Sequence, residues 1–143
     1  MPTSRRKQQS ADPGQRHVSQ RWTAAIAAKG WTPVADFFLA NYHRLKISHT
    51  EAMVIIHLMQ FKWDHQDPYP SLQTIAERMG ITVASVRKHM QTLESKELIL
   101  RQQRTGTSNR YKLNRLFQQL ESLMERDGVM LQSESAADVA AVA

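Results

Sequence analysis

The chain has 143 residues, a formal net charge of +6 with its histidines neutral, and no cysteine. That length suits one modest domain with tails; the missing cysteines exclude disulfides, thiolate zinc sites and cysteine nucleophiles. The positive charge points to an acidic polymer or an anionic surface as partner, but the most apolar run, Met53 to Met59, is broken by His57 and far too short to cross a bilayer.

Met1 to Arg21 is rich in Gln, Ser and basic residues, contains Pro13 and Gly14, and has little apolar besides Val18. It lacks the apolar stretch and cleavage site of a secretory signal and reads as a disordered basic arm reaching to residue 30, with a short Ala-rich helix over 22–29 ending at Gly30. Arg5, Arg6, Lys7, Arg16 and Arg21 could track phosphates or a minor groove, or simply keep the tail soluble.

Ordered structure is expected from Trp31. Thr32 before Pro33 predicts a helix over 33–46, with Val34, Phe37, Phe38, Tyr42 and Leu45 as its apolar stripe. Ser48 and Glu51 have the spacing of a capping box, opening a helix over 50–63 whose apolar residues occupy almost every face. In the connection Asp64 to Pro70, two prolines forbid helix.

The stretch from Ser71 to Leu98 organises the rest. Ser71 can cap a helix over 72–79 in which Leu72, Ile75, Ala76 and Met79 form one stripe, and Gly80 can close it in the left-handed conformation. Thr82 caps a second helix over 83–96, with Val86, Met90 and Leu93 inward and Ala84, Ser85, Arg87, Lys88, Gln91 and Thr92 outward. Small residues near a helix N-terminus permit close approach to base edges, and Arg, Ser and Gln supply the hydrogen bonds that distinguish base pairs. Otherwise Arg87 and Lys88 are a solvated face.

Residues 98–113 suit a two-stranded hairpin around the glycine-containing turn Thr105 to Asn109, with Tyr111 and Leu113 inward. Arg101, Arg104, Arg110 and Lys112, with Thr105, Thr107, Ser108 and Asn109, suit a phosphate backbone, as the wing of a winged helix does. A charged edge that resists strand aggregation is the alternative. From Arg78 to Arg115 nine basic residues stand against two acidic ones, so the excess sits on this unit.

A last helix over 114–127 carries Leu113, Leu116, Leu120 and Leu123 at alternating spacings of three and four, with Phe117 and Met124 beside them. The seam can close the core or join a second copy; Phe117 favours the core, and Leu116, Leu120, Leu123 and Met124 are the residues a homodimer would use. Residues 128–143 read as a disordered tail.

Six histidines offer no metal-binding spacing, with His65 near Asp64 and Asp67 the least poor candidate. No phosphate-cradling loop, carboxylate pair or nucleophile motif is present, so neither enzymatic activity nor a cofactor is expected.

The segments GWTPVADFFLANYHRLKIS, EAMVIIHLMQFKWD and YPSLQTIAERMGITVASVRKHMQTLESKELI together resemble the winged-helix domain of DnaD-like replication-initiation proteins and related phage and plasmid proteins, from Trp31 to Leu120. The helix-turn-helix portion is also similar to GntR-type and MarR-type repressors. The resemblance implies a DNA contact at Arg87, with Thr82 and Ser85 nearby. DnaD-like proteins usually carry a second helical domain and GntR-type repressors an effector domain, for which this chain is too short; in the former family the winged helix can also serve self-association. The expected class is mainly α with a small β-hairpin (α+β), a winged helix-turn-helix. The expected function is sequence-specific binding of double-stranded DNA in transcription regulation or replication, in the cytoplasm on the nucleoid. The alternative is an oligomerisation or adaptor module working with replication or transcription proteins.

Overall fold

The computed structural model describes residues 18–62 and 69–142, those from 129 onward by backbone alone. The chain divides into two compact units, Met1–Pro33 and Val34–Ala143.

In the first unit, α1 (Val18–Arg21) and α2 (Ala24–Ala27) are single turns, the second capped by Thr23, whose hydroxyl accepts from the Ile26 amide at 3.2 Å. Helix is therefore present over Val18–Arg21, inside the segment read as a disordered arm, and 22–29 holds one turn rather than a continuous helix. Arg21 is exposed at the end of α1; Arg5, Arg6, Lys7 and Arg16 lie outside the described residues.

The second unit opens differently from the expected helix over 33–46. Val34 lies outside any helix and Ala35, with extended backbone, is the N-cap of α3 (Asp36–Asn41), so neither Thr32 nor Pro33 starts the helix. The apolar stripe misled here because Val34 packs on the core from outside any helix. After Asn41, whose side-chain amide donates to the Phe37 carbonyl at 2.9 Å, the chain tightens into a 3-10 turn over Tyr42–Leu45, closed by Lys46 at φ 59°.

The capping box forms as its spacing implies: the Ser48 hydroxyl accepts from the Glu51 amide at 3.1 Å, and the Ser48 amide donates to the Glu51 carboxylate at 3.0 Å. It starts α4 (His49–Gln60), which buries Ala52, Val54, Ile55 and Leu58 but leaves Met53 outside. The helix ends short of the expected residue 63, whose position lies outside the described residues.

The next two helices, α5 (Leu72–Met79) and α6 (Val83–Ser95), pack on each other and on α4. Between them Gly80 is left-handed at φ 65°, a conformation costly for any residue with a Cβ, and the Ile81 amide returns to the Ala76 carbonyl at 3.1 Å. Glu97 takes a similar conformation after α6, at φ 57°, and sends the chain into a hairpin. Its strands β1 (Leu100–Gln102) and β2 (Arg110–Lys112) are antiparallel, with Arg101 opposite Tyr111. Leu98 and Ile99 are buried before the first strand begins and β1 itself is exposed along its length. That explains the weak alternation of this stretch: its apolar residues anchor the junction rather than one face of a strand.

The backbone of α7 runs Asn114–Val142, past residue 127 where sequence ended it. Gly128 costs a helix only about 1 kcal/mol relative to alanine, and the alanines that follow favour helix. Leu116 and Leu123 are buried within the chain and Leu120 is half-buried, so of the four seam residues only Met124 stands largely exposed. The heptad spacing is thus mainly that of an intramolecular packing face.

One core, gathered around Val54, Ile55, Leu58, Ile75, Val86, Leu93, Leu98, Tyr111 and Leu113, joins α4, α5, α6 and the hairpin. The result is a mainly helical α+β fold with a two-stranded antiparallel sheet.

Candidate nucleic-acid interface

The orientation of α6 follows from its apolar side. Val86 and Leu93 are inaccessible and Met90 nearly so, which turns Ala84, Arg87, Lys88 and Gln91 to solvent. Thr82 is tied into the cap: its Oγ1 accepts from the Ser85 amide at 3.1 Å and donates to the Ser85 hydroxyl at 3.0 Å. Among the described residues, the side chains of Arg87 and Lys88 have neither a hydrogen-bond nor an ion-pair partner. Ser71 is half-buried and occupied as the cap of α5, accepting from the Thr74 amide at 3.1 Å and bonding the Thr74 hydroxyl at 2.9 Å.

Behind this surface a buried carboxylate locks α6 to α4. Glu51 is 7% exposed, and its oxygens lie 3.5 Å from His89 Nδ1 and 3.7 Å from Lys96 Nζ. Lys96 also donates to the Lys46 carbonyl. Burial pulls the Glu51 pKa upward, but the Ser48 amide, Lys96 and His89 together outweigh it and hold the carboxyl below its ordinary range. At the far end of α4, burial first and then Arg78 hold the His57 imidazole below its usual pKa.

The basic hairpin residues are less free than their sequence implies. Arg101 pairs with Glu94 at 3.6 Å. Arg104 donates from Nε to the Ser108 carbonyl at 2.7 Å and lies 5.0 Å from the centroid of the Tyr69 ring, while Arg110 lies 6.0 Å from the same centroid. Thr105 and Thr107 are exposed at the tip, and Ser108, Asn109 and Lys112 are half-buried. Burial pushes the Tyr111 hydroxyl pKa up, opposed by Arg101 and by a hydrogen bond with Asn109. Tyr69 was missed by sequence reading, which took the segment around it as a plain connection; an aromatic residue between two prolines was the available signal.

At the base of the unit, Gln119 caps α6 by donating to the Lys96 and Glu97 carbonyls at 3.3 and 3.0 Å, and Arg115 pairs with Glu97 at 3.2 Å. Arg44 makes a two-pronged contact with Asp127 at 2.9 and 3.1 Å, fixing the 3-10 turn to α7. No three His, Cys, Asp or Glu side chains among the described residues converge as a metal site, and His65, Asp64 and Asp67 fall outside those residues. No described helix is long and apolar enough to cross a membrane.

The fold and surface define a helix-turn-helix followed by a basic hairpin and closed by a long terminal helix. A family model described as the DnaD N-terminal domain matches residues 34–129, and the chain belongs to that family. The crystal structure of the N-terminal domain of DnaD protein from Geobacillus kaustophilus HTA426 is similar in fold, with a TM-score of 0.61 and 20% identity over 79% of this chain and 96% of that one. No curated protein matches the chain significantly.

Proposed function

We propose that this domain is a replication-initiation module that binds double-stranded DNA, with α6 in the major groove and the hairpin against the backbone. The observation that carries the reading is the outer face of α6. Arg87 and Lys88 lie one after the other without a partner among the described residues, beside exposed Ala84 and Gln91, on a helix whose opposite face is fully buried. Unpaired cations on a rigid helix can exchange water for phosphate or guanine without first breaking an internal contact. Arg87, with Ser85 and Gln91 nearby, reads bases, and Lys88 and Lys112 hold phosphates. The family favours a setting in replication over transcription regulation.

The test is a pair of substitutions measured on duplexes selected from a random pool. Arg87→Ala is expected to cost about 1–3 kcal/mol on the preferred site and to relax base choice, and Lys88→Ala to weaken all duplexes alike and lower the salt slope by about one. Equal losses for Arg87→Ala on selected and random duplexes would remove base readout from the proposal.

A second reading, an oligomerisation or adaptor module, is favoured by two exposed apolar side chains, Leu39 on α3 and Met124 on α7, helices that pack together. Sedimentation separates the two readings. A monomer that binds duplex dismisses the adaptor, and a stable oligomer indifferent to DNA dismisses the duplex reader.

A further inference from the structure

Tyr69 stands just ahead of α5 with 53% of its surface exposed, although Pro70 beside it is buried and Ser71 begins the helix cap. Its backbone is therefore anchored while its ring is presented. Two guanidinium groups from the hairpin, Arg104 and Arg110, lie 5.0 and 6.0 Å from the ring centroid. Arg104 is pinned by its bond to the Ser108 carbonyl, and Arg110 Nε is enclosed without a hydrogen-bond partner.

Neither guanidinium is paired with a carboxylate among the described residues, whereas Arg101 and Arg115 nearby in sequence each have a glutamate. A purely structural anchor would bury the ring, and an ordinary surface ion pair would supply an acid. An exposed ring with two uncompensated cations over it instead suits a flat π-system that carries negative charge beside it: a nucleobase extends the stack on tyrosine and its phosphate meets a guanidinium. In a continuous duplex both faces of each base are covered by neighbours, so only an unpaired base can offer one. We infer that Tyr69, with Arg104 and Arg110, is a stacking site for an unpaired base next to the duplex, so that the preferred ligand is a junction between double and single strand. This rests on the reading of α6 and the hairpin as a duplex-binding surface.

The experiment compares a blunt duplex with the same duplex carrying a single-stranded tail, by fluorescence anisotropy, with 2-aminopurine at the first unpaired position to report stacking. Wild type is expected to bind the tailed duplex more tightly and to quench the probe. Tyr69→Ala should lose roughly 5- to 100-fold on the tailed duplex, the range of one stacked base, and nothing on the blunt one, while Tyr69→Trp retains both binding and quenching. Equal affinity of wild type for the two duplexes, or an equal loss on both for Tyr69→Ala, would overturn the inference and leave the duplex reading standing. Tyr69-dependent binding of the tailed duplex with no binding of the blunt one would sink the duplex reading and keep the stacking site.

Discussion

Glu51 does two jobs at once. It completes the cap of α4, and it is the shared counter-charge of His89 and Lys96 on the helix that carries the candidate reading face. Because its pKa in the folded chain lies below the unfolded value, the ionised form contributes stability that is complete above the unfolded pKa and is lost as pH falls through the folded one. Urea unfolding between about pH 5 and 2 should therefore show a falling acid limb that Glu51→Gln flattens. At pH 7, Glu51→Ala should cost about 2–3 kcal/mol, through loss of the cap and of a buried charge partner. His57 acts in the same direction at higher pH. Its depressed pKa favours the unfolded chain as pH falls below the ordinary histidine range, and His57→Gln should remove that dependence. Glu97 offers a gain: at φ 57° it sits where glycine fits without a Cβ clash, and its partner Arg115 is exposed. Glu97→Gly is expected to add about 1 kcal/mol in thermal unfolding.

At the scale of elements, the legible parts were those written in short-range chemistry. Ser48 with Glu51, Ser71, Gly80 and Thr82 each announce a cap or turn through one side chain and its own backbone, so α5 and α6 start at the expected residues and α4 one residue earlier than expected. The errors come where an apolar residue had two uses. Val34 looked like the start of a helix face yet packs from the stretch before the helix, and Leu98 and Ile99 looked like part of a strand yet plug the core before the hairpin begins. The leucines of α7 show the same ambiguity, since a spacing that fits a second copy fits the chain's own core equally well. Arg104 and Arg110 were legible as basic residues but not as partners of Tyr69, because their contact joins segments far apart in sequence. At this scale, Leu58→Ala in the last turn of α4 should cost about 2–5 kcal/mol in chemical denaturation, since the side chain is fully enclosed.

For the molecule as a whole, many of the basic residues cluster in one stretch of the chain. Nine of the basic residues fall between Arg78 and Arg115, and Leu39 and Met124, on α3 and α7, lie outside that stretch. A protein that both binds DNA and self-associates would need two such surfaces, and Met124→Glu tests their independence: it should shift sedimentation toward the monomer while leaving duplex affinity within about twofold, as expected for well-separated sites.

The junction after α6 carries a mechanical consequence. Only four residues, Lys96 to Ile99, separate the helix from β1; two of them are buried, and Gln119 grips the carbonyls of the other two. With no slack there, helix and strands travel as one stiff hand. In the proposed duplex complex, fitting grooves of different width falls to the exposed fingertip, Thr105 to Thr107, beyond the bond that pins Arg104 to Ser108, and a binder that tolerates varied sites would do so by bending that tip alone.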